Sequence, residues 1–404
     1  MIYFRFFIIS FIFFSSSFIS CKSQSSNHAP QPSSSANPQG QERCSSISAE
    51  EKTNPVTRLR HEFFDLAEDV NRFRIERDQS VYVIGDIHGS WEMIRDALIH
   101  AEIMELDPSP EKTVEVRYQR SNIRVTIPNL RFRSSIQNKV IFVGDYIAKT
   151  SREREQITLG LLKDILQKQQ HEMPGLVAGQ EPVVAIFGNH DFEAVNGVDH
   201  SSDGYPTEKH YEDQVRSMLD LLVPTYVYNG IWYSHSYLTD YDMDQFHQLN
   251  PVIGFQNIRD LGDLGQLFNL SGQVNQFIHG LITSQQVHTS WLGSEAVGDR
   301  ANFMYAMRTT PADGALGPMH GPYQKFPMIM GHLSDLQRKE IRVLSEGYYG
   351  HDRNEYPRRS HILCVDTSIY HSTLIGSRAK YLKINYRSTG ASRVDFQACS
   401  LPTR

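Results

Sequence analysis

Five short apolar runs in this chain each end in residues of the metal-ligand type, usually just after a glycine. The run at 81–84 leads into Gly85-Asp86-Ile87-His88-Gly89, and the run at 140–143 into Gly144-Asp145. Residues 183–187 precede Gly188-Asn189-His190-Asp191, residues 231–234 precede His235, and residues 326–330 precede Gly331-His332. A short β-branched and aromatic run reads as a buried strand, and in open α/β sheets ligands gather beyond the carboxyl ends of the strands. The pattern therefore predicts five strands whose ends bring Asp86, His88, Asp145, Asn189, His235 and His332 to one point. Donors of this mixed N/O kind suit two divalent ions, and two ions on such a sheet imply hydrolysis of a phosphate ester.

The segments between the runs have helical spacing. Trp91, Ile94, Leu98 and Ala101 fall on one face after the first run. After Asp145, Ser151 reads as a helix cap, with Glu153 and Glu155 early and Lys163 and Lys168 late, as the helix dipole favours. Ile157, Leu161, Leu162 and Ile165 would be its buried side. Strand, ligand, helix in repetition is the signature of an α/β fold. Two alternating stretches, 114–118 and 123–127, predict a β-hairpin turning near Arg120-Ser121-Asn122, inserted between the first two runs. Residues 236–325 form a second long stretch, the expected source of substrate contacts.

Charge does not identify the partner, and it gives no argument for nucleic acid. Forty Lys and Arg stand against 46 Asp and Glu, a formal charge of −6 with no basic surplus. The N-terminus reads as a targeting signal: one basic residue, Arg5, then an apolar stretch too short to span a bilayer comfortably. It ends in Phe18-Ile19-Ser20-Cys21, which resembles the lipobox of bacterial lipoproteins. This organisation predicts a signal peptide over 1–20 and a lipidated Cys21 with a disordered Ser/Gln/Pro-rich tether over 21–55. A single catalytic domain follows over 56–404. The implied location is outside the cytoplasmic membrane, anchored by lipid and facing the periplasm or cell surface. An ordinary cleaved signal and an uncleaved anchor are the alternatives. Cys44, Cys364 and Cys399 allow one disulfide, and their spacing selects none; Cys364, in an apolar stretch, reads as a buried thiol.

The motifs, in this order and each at a strand end, resemble the calcineurin-like metallophosphoesterases, over roughly residues 80–387. The resemblance is closest to the branch of serine/threonine protein phosphatases and their bacterial relatives. It implies a layered sandwich of two mixed sheets flanked by helices. It also implies a role for each residue. Asp86 and His88 would hold one ion, Asp145 would bridge, and Asn189, His235 and His332 would complete the second site. Two divalent ions are implied, Mn2+ first and Fe or Zn next, with a bridging hydroxide as attacking group. His190 would give a proton to the leaving oxygen, and Lys149 and Asn189 would contact the substrate phosphate. The chain departs from the family's Gly-Asp-x-x-Asp-Arg-Gly: Ala148 stands for the second carboxylate and Lys149 for the arginine. Lysine keeps the charge but loses the bidentate fork, for which Arg152 or Arg154 could substitute. Ser334 stands where a diesterase would place a second histidine, which favours a phosphomonoesterase acting on phosphoprotein or a small phosphorylated compound. A nucleotide or dinucleoside polyphosphate hydrolase is the alternative within the class, and a surface binding lipoprotein with weakened turnover is the alternative outside it.

Overall fold

The computed structural model describes residues 43–47, most of 63–191, 218, 221–236, 264–283, 326–332, 341–343, 362–366 and most of 380–400. The expected signal, Cys21, Ala148 and Ser334 lie outside the described residues.

The first sheet has six strands: β1 (Arg43–Ser46), β2 (Gln79–Ile84), β7 (Lys139–Phe142), β8 (Val183–Ala185), β14 (Lys380–Tyr386) and β15 (Val394–Ser400). They run in the order β1-β15-β14-β2-β7-β8. The β2, β7 and β8 pairings are parallel and the others antiparallel. The second sheet orders β12 (Arg342–Val343), β13 (Ile362–Cys364), β11 (Met328–Met330), β10 (Ile231–Ser234) and β9 (Thr225–Tyr228). It is parallel through β10, β11 and β13 and antiparallel at both margins. All five expected strands are therefore present, divided between two mixed sheets.

The alternation of side chains across the pleat explains the continuous apolar runs. Val81, Val83, Ile141 and Val143 pack with Tyr233, Ile329, Leu363 and Val365 in one core. Their neighbours Tyr82, Ile84, Val140 and Phe142 belong to a second core, with Ile94, Leu98, Leu162 and Ile165 from the helices. A strand buried on both faces has no use for polar alternation, and each such side chain contributes about 1.5–3 kcal/mol by leaving water.

Helix α1 (Trp91–His100) buries Met93, Ile94, Ala97 and Leu98. Helix α2 (Arg152–Glu172) buries Leu161, Leu162 and Ile165 as expected, while Ile157 is half-buried. Its start departs from expectation: Ser151 occupies the cap position and its carbonyl accepts the Glu155 N–H as the first bond of the helix, but its side chain makes no cap bond. Lys168 does not serve the helix end either, because it donates to Asn129 and Leu130. Helix α3 (Leu264–Thr283) lies in the second long stretch and meets β9 through Asn275 and Ser271, which bond Thr225.

The expected hairpin is β4 (Lys112–Tyr118) with β5 (Ser121–Ile127), closed by the Tyr118–Ser121 pair. Lys112 ties it to Asp164 of α2. A short antiparallel pair, β3 (Met104–Leu106) and β6 (Leu130–Phe132), lies on either side of it in sequence.

One boundary moves. The stretch read as tether contributes β1, which pairs with β15 in register so that Cys44 faces Cys399, and the two form a disulfide. The chain is thus held in the sheet from Arg43, not from residue 56. A polar tetrapeptide carries no strand signal of its own; the ladder and the crosslink supply it. Cys364 is the buried free thiol expected.

Candidate metal centre

The carboxyl ends of β2, β7, β8, β10 and β11 converge, and the loops leaving them tie one another's backbones. Asp86 accepts the His332 N–H (2.9 Å), and Asp145 accepts the His190 N–H (2.9 Å). The Asp145 carbonyl in turn accepts the N–H groups of Ile87 and His88. Four residues here, His88, Asp145, Lys149 and His332, have left-handed backbones, with φ of 41°, 52°, 65° and 66°. Outside glycine such a conformation costs free energy and persists only where surrounding contacts dictate it.

The glycines before the ligands answer to the same crowding. A side chain on Gly331 would strike the Asp86 carboxylate, and one on Gly188 would strike the Asp145 backbone and carboxylate. The ligand-bearing strand ends come this close only without a Cβ between them.

Asp86, His88, Asp145, Asn189 and His235 are all buried, with His190 and His332 partly so. Asp145 lies at the centre. Its Oδ2 is 3.7 Å from His88 Nε2 and 3.8 Å from His190 Nε2, and its Oδ1 is 3.4 Å from His235 Nε2. Asp86 Oδ2 lies 3.7 Å from the same His88 nitrogen. On the other side, Asn189 Oδ1 is 2.8 Å from His235 Nε2 and 2.9 Å from His332 Nδ1, and these two nitrogens are 3.2 Å apart. Two clusters of donor atoms result, one of His88, Asp145 and His190, the other of Asp145, His235 and His332, each within 4.8 Å.

The donor set fits divalent cations. His88 Nδ1 meets the Ile147 carbonyl (2.9 Å) and His235 Nδ1 the Val143 carbonyl (2.7 Å). A carbonyl there holds the ring proton on Nδ1 and turns the Nε2 lone pair inward, the usual support of a ligating imidazole. His235 Nε2 and Asn189 Oδ1 then face each other as acceptors at 2.8 Å, with no proton between them except one that His332 Nδ1 can carry. A cation resolves that conflict. Burial first, then the Lys149 ammonium, holds the His88 imidazole well below its ordinary range, leaving a lone pair to offer. Burial, then Asp366 and Asp145, pushes the Asp86 carboxyl well up. Several buried carboxylates at close quarters are stable together only with positive charge between them.

Residues 80–289 match the calcineurin-like phosphoesterase family. The chain belongs to that family. As a calcineurin-like phosphoesterase it is a metal-dependent hydrolase of phosphate esters and acts on phosphorylated substrates. Among solved structures it is similar to a cold-active protein-tyrosine phosphatase of a psychrophilic Shewanella, at 12% identity. That likeness covers 78% of this chain and 81% of that one, with a TM-score of 0.34. It is also similar to the phosphatase domain of the Legionella effector WipB, at 13% identity over 62% of this chain and 98% of that one, with a TM-score of 0.38. Among curated protein sequences none matches.

In this phosphoesterase the remaining expected residues take distinct positions. The His190 ring stands edge-on to His88, with centroids 5.4 Å apart, at the partly open side of the cluster. Lys149 is an exposed residue, yet its Nζ lies 3.2 Å from His88 Nε2. Arg154 is not available as a substitute fork, because it pairs with Glu92 of α1 at 2.5 Å.

Two buried carboxylates carry roles that the motifs did not assign. Asp191 accepts the N–H groups of Tyr146 and Gly188, each at 2.9 Å, and so joins the β7 and β8 loops. Burial pushes its carboxyl up to about 7, against those same hydrogen bonds. Asp366, just beyond β13, lies close enough to Asp86 to raise its carboxyl. The signal for both was present as an Asp after an apolar run, but a carboxylate that holds backbone reads no differently from one that holds metal.

Proposed function

We propose that this phosphoesterase is a two-metal phosphomonoesterase. The observation that carries the reading is the pair of donor clusters sharing Asp145. Asp86, His88 and Asp145 would hold one divalent ion, and Asp145, Asn189, His235 and His332 the other, with Mn2+ preferred for this N/O set. Such ions supply Lewis acidity that draws charge from phosphoryl oxygens and acidifies water.

The chain's own residues do the rest. Asp191 and the Asp86–His332 bond hold the ligand loops in register. Lys149, beside His88, offsets phosphate charge, as a point charge without a directional fork. His190, on the partly open side, gives its proton to the departing oxygen, a task suited to an imidazole near neutral pH. A monoester presents two charged oxygens to this cationic cluster and one leaving group to His190.

The test compares hydrolysis of p-nitrophenyl phosphate with that of its bis-p-nitrophenyl diester by the manganese-loaded protein. Preferred monoester turnover supports the reading. Preferred diester turnover overturns it, and no turnover with metal demonstrably bound returns the chain to the binding-lipoprotein alternative.

Export and lipid anchoring at Cys21 belong to the same proposal. The apolar N-terminus ending in cysteine supports it, and so does the Cys44–Cys399 disulfide, since such bonds persist in oxidising compartments. Cys21→Ala should move the protein from the membrane to the soluble fraction; retention in the membrane would rule out the lipid.

A further inference from the structure

The sheet that carries the candidate metal centre at its carboxyl ends opens a cavity at its amino ends. Its volume is about 760 Å³, within the range of small-molecule sites. Arg77 before β2, Arg133 after β6, and Asn138 with Lys139 at the start of β7 line it. Glu181 before β8 and Asn229 in the β9–β10 turn complete the wall. None of these residues belongs to the metal centre.

The walls are cationic in a specific way. Lys139 is 2% exposed, an uncommon state for lysine. Its ammonium donates to the Glu181 carbonyl and the Tyr226 hydroxyl (3.0 Å), and lies over the Tyr228 ring at 4.8 Å. The Glu181 carboxylate is engaged elsewhere, accepting from the Gly179 N–H (2.8 Å) and the Tyr226 hydroxyl (3.2 Å). Among the described residues no carboxylate comes within salt-bridge distance of Arg77 or Lys139. Arg133 meets Glu102 only at 4.0 Å, and its Nε–H is buried with no acceptor among the described residues. Orphaned buried donors are rare and call for a partner.

We propose that this cavity binds a small organic anion, a carboxylate or a phosphate, between Arg77, Arg133 and Lys139. Arg77 and Arg133, joined by Lys139 in its protonated form, against one engaged carboxylate leave a surplus that such a ligand would neutralise, and it would supply the acceptor that Arg133 Nε lacks. Ile136 and Met173 offer apolar wall to its carbon body. The groups facing Lys139 are Glu181, Arg77, Tyr226 and Tyr228. Burial pushes its ammonium down to about 7, with Glu181 acting the other way and Arg77 with it. A bound anion would restore the charged form.

The test reads Lys139 itself, so a second ligand at the metal centre does not confuse it. In the metal-loaded protein, acylation of each lysine by acetic anhydride is followed by mass spectrometry across pH, with and without inorganic phosphate or butyrate. The anion should raise the pKa of Lys139 by about one unit, slowing its acylation at saturation by roughly fivefold at about pH 7 and approaching roughly tenfold at about pH 6. Surface lysines should not change. Protection by phosphate alone or by butyrate alone supports the site and selects the ligand class. Arg77→Gln with Arg133→Gln should abolish the protection and leave esterase turnover intact. Lys139 acylation unchanged by both anions, protection shared by all lysines, or protection that survives the double variant would overturn the proposal.

Discussion

The two ends of β7 are built on opposite plans. At its carboxyl end Asp145 sits among Asp86, Asp191 and Asp366, ligand atoms stand 2.8–3.8 Å apart, and no room remains for a Cβ on Gly188 or Gly331. At its amino end Lys139 stands with Arg77 and Arg133 around an open volume of about 760 Å³. One end gathers anions and has no space; the other gathers cations and has space to spare. Since the strand between them is a lysine at the outer edge followed by three apolar residues, the contrast is set by the loops and not by the sheet. Crowded buried carboxylates ask for a cation within the cluster. Spaced cations around a cavity ask for an anion within the void.

The sharpest break of that contrast is at Asp145. Asp145→Asn, which weakens both clusters at once, should lower metal-dependent turnover by more than about 100-fold, beyond the usual cost of losing a supporting contact. Calorimetric metal titration should show weakened binding in the same variant; retained turnover would remove Asp145 from the centre. Gly331→Ala should follow, losing about 1–3 kcal/mol of stability from overpacking against Asp86 together with metal affinity. Chemical denaturation and metal titration read the two losses separately, and a neutral result would mean the strand ends can part.

Lys139 gives the next effect, with a sign that follows from its burial. Its folded pKa is about 7 and its unfolded value near 10.5, so between those limits the unfolded chain holds the proton that the folded protein has released. Stability should therefore rise with pH across that window, by up to about 1.4 kcal/mol per pH unit, and fall as pH drops toward 7. Lys139→Met should flatten that slope while leaving turnover unchanged. A slope that survives the substitution would mean another group causes it. The smallest effect belongs to the roomy end: Ser134→Val, on the cavity wall, should change stability by less than about 0.5 kcal/mol, against the larger loss at Gly331.

The sequence and the structure agree where the information is local. A run such as 81–84 buries every side chain, so it carries no polar alternation, and Gly-Asp or Gly-His at its end is legible because close approach excludes any other residue before the ligand. The hairpin at 112–127 was legible for the same reason, from alternation alone. Arg43–Ser46 was not, because its strand exists only through a ladder and a crosslink to residues more than 350 positions away. Ser151 read as a side-chain cap, yet its side chain makes no cap bond.

What the sequence determined by itself is therefore the inventory: which runs form strands, which ligand types they deliver, and which reaction class those ligands serve. Only the tertiary structure decided who stands beside whom. It made Asp191 a clamp on two loops, turned His88 and His235 by carbonyls from other segments, committed Arg154 to Glu92, and buried Lys139 among tyrosines. The physical reason is range. Burial pattern and glycine placement act between neighbours in the chain, while hydrogen bonds between loops, desolvation and crosslinks depend on residues that folding alone brings together.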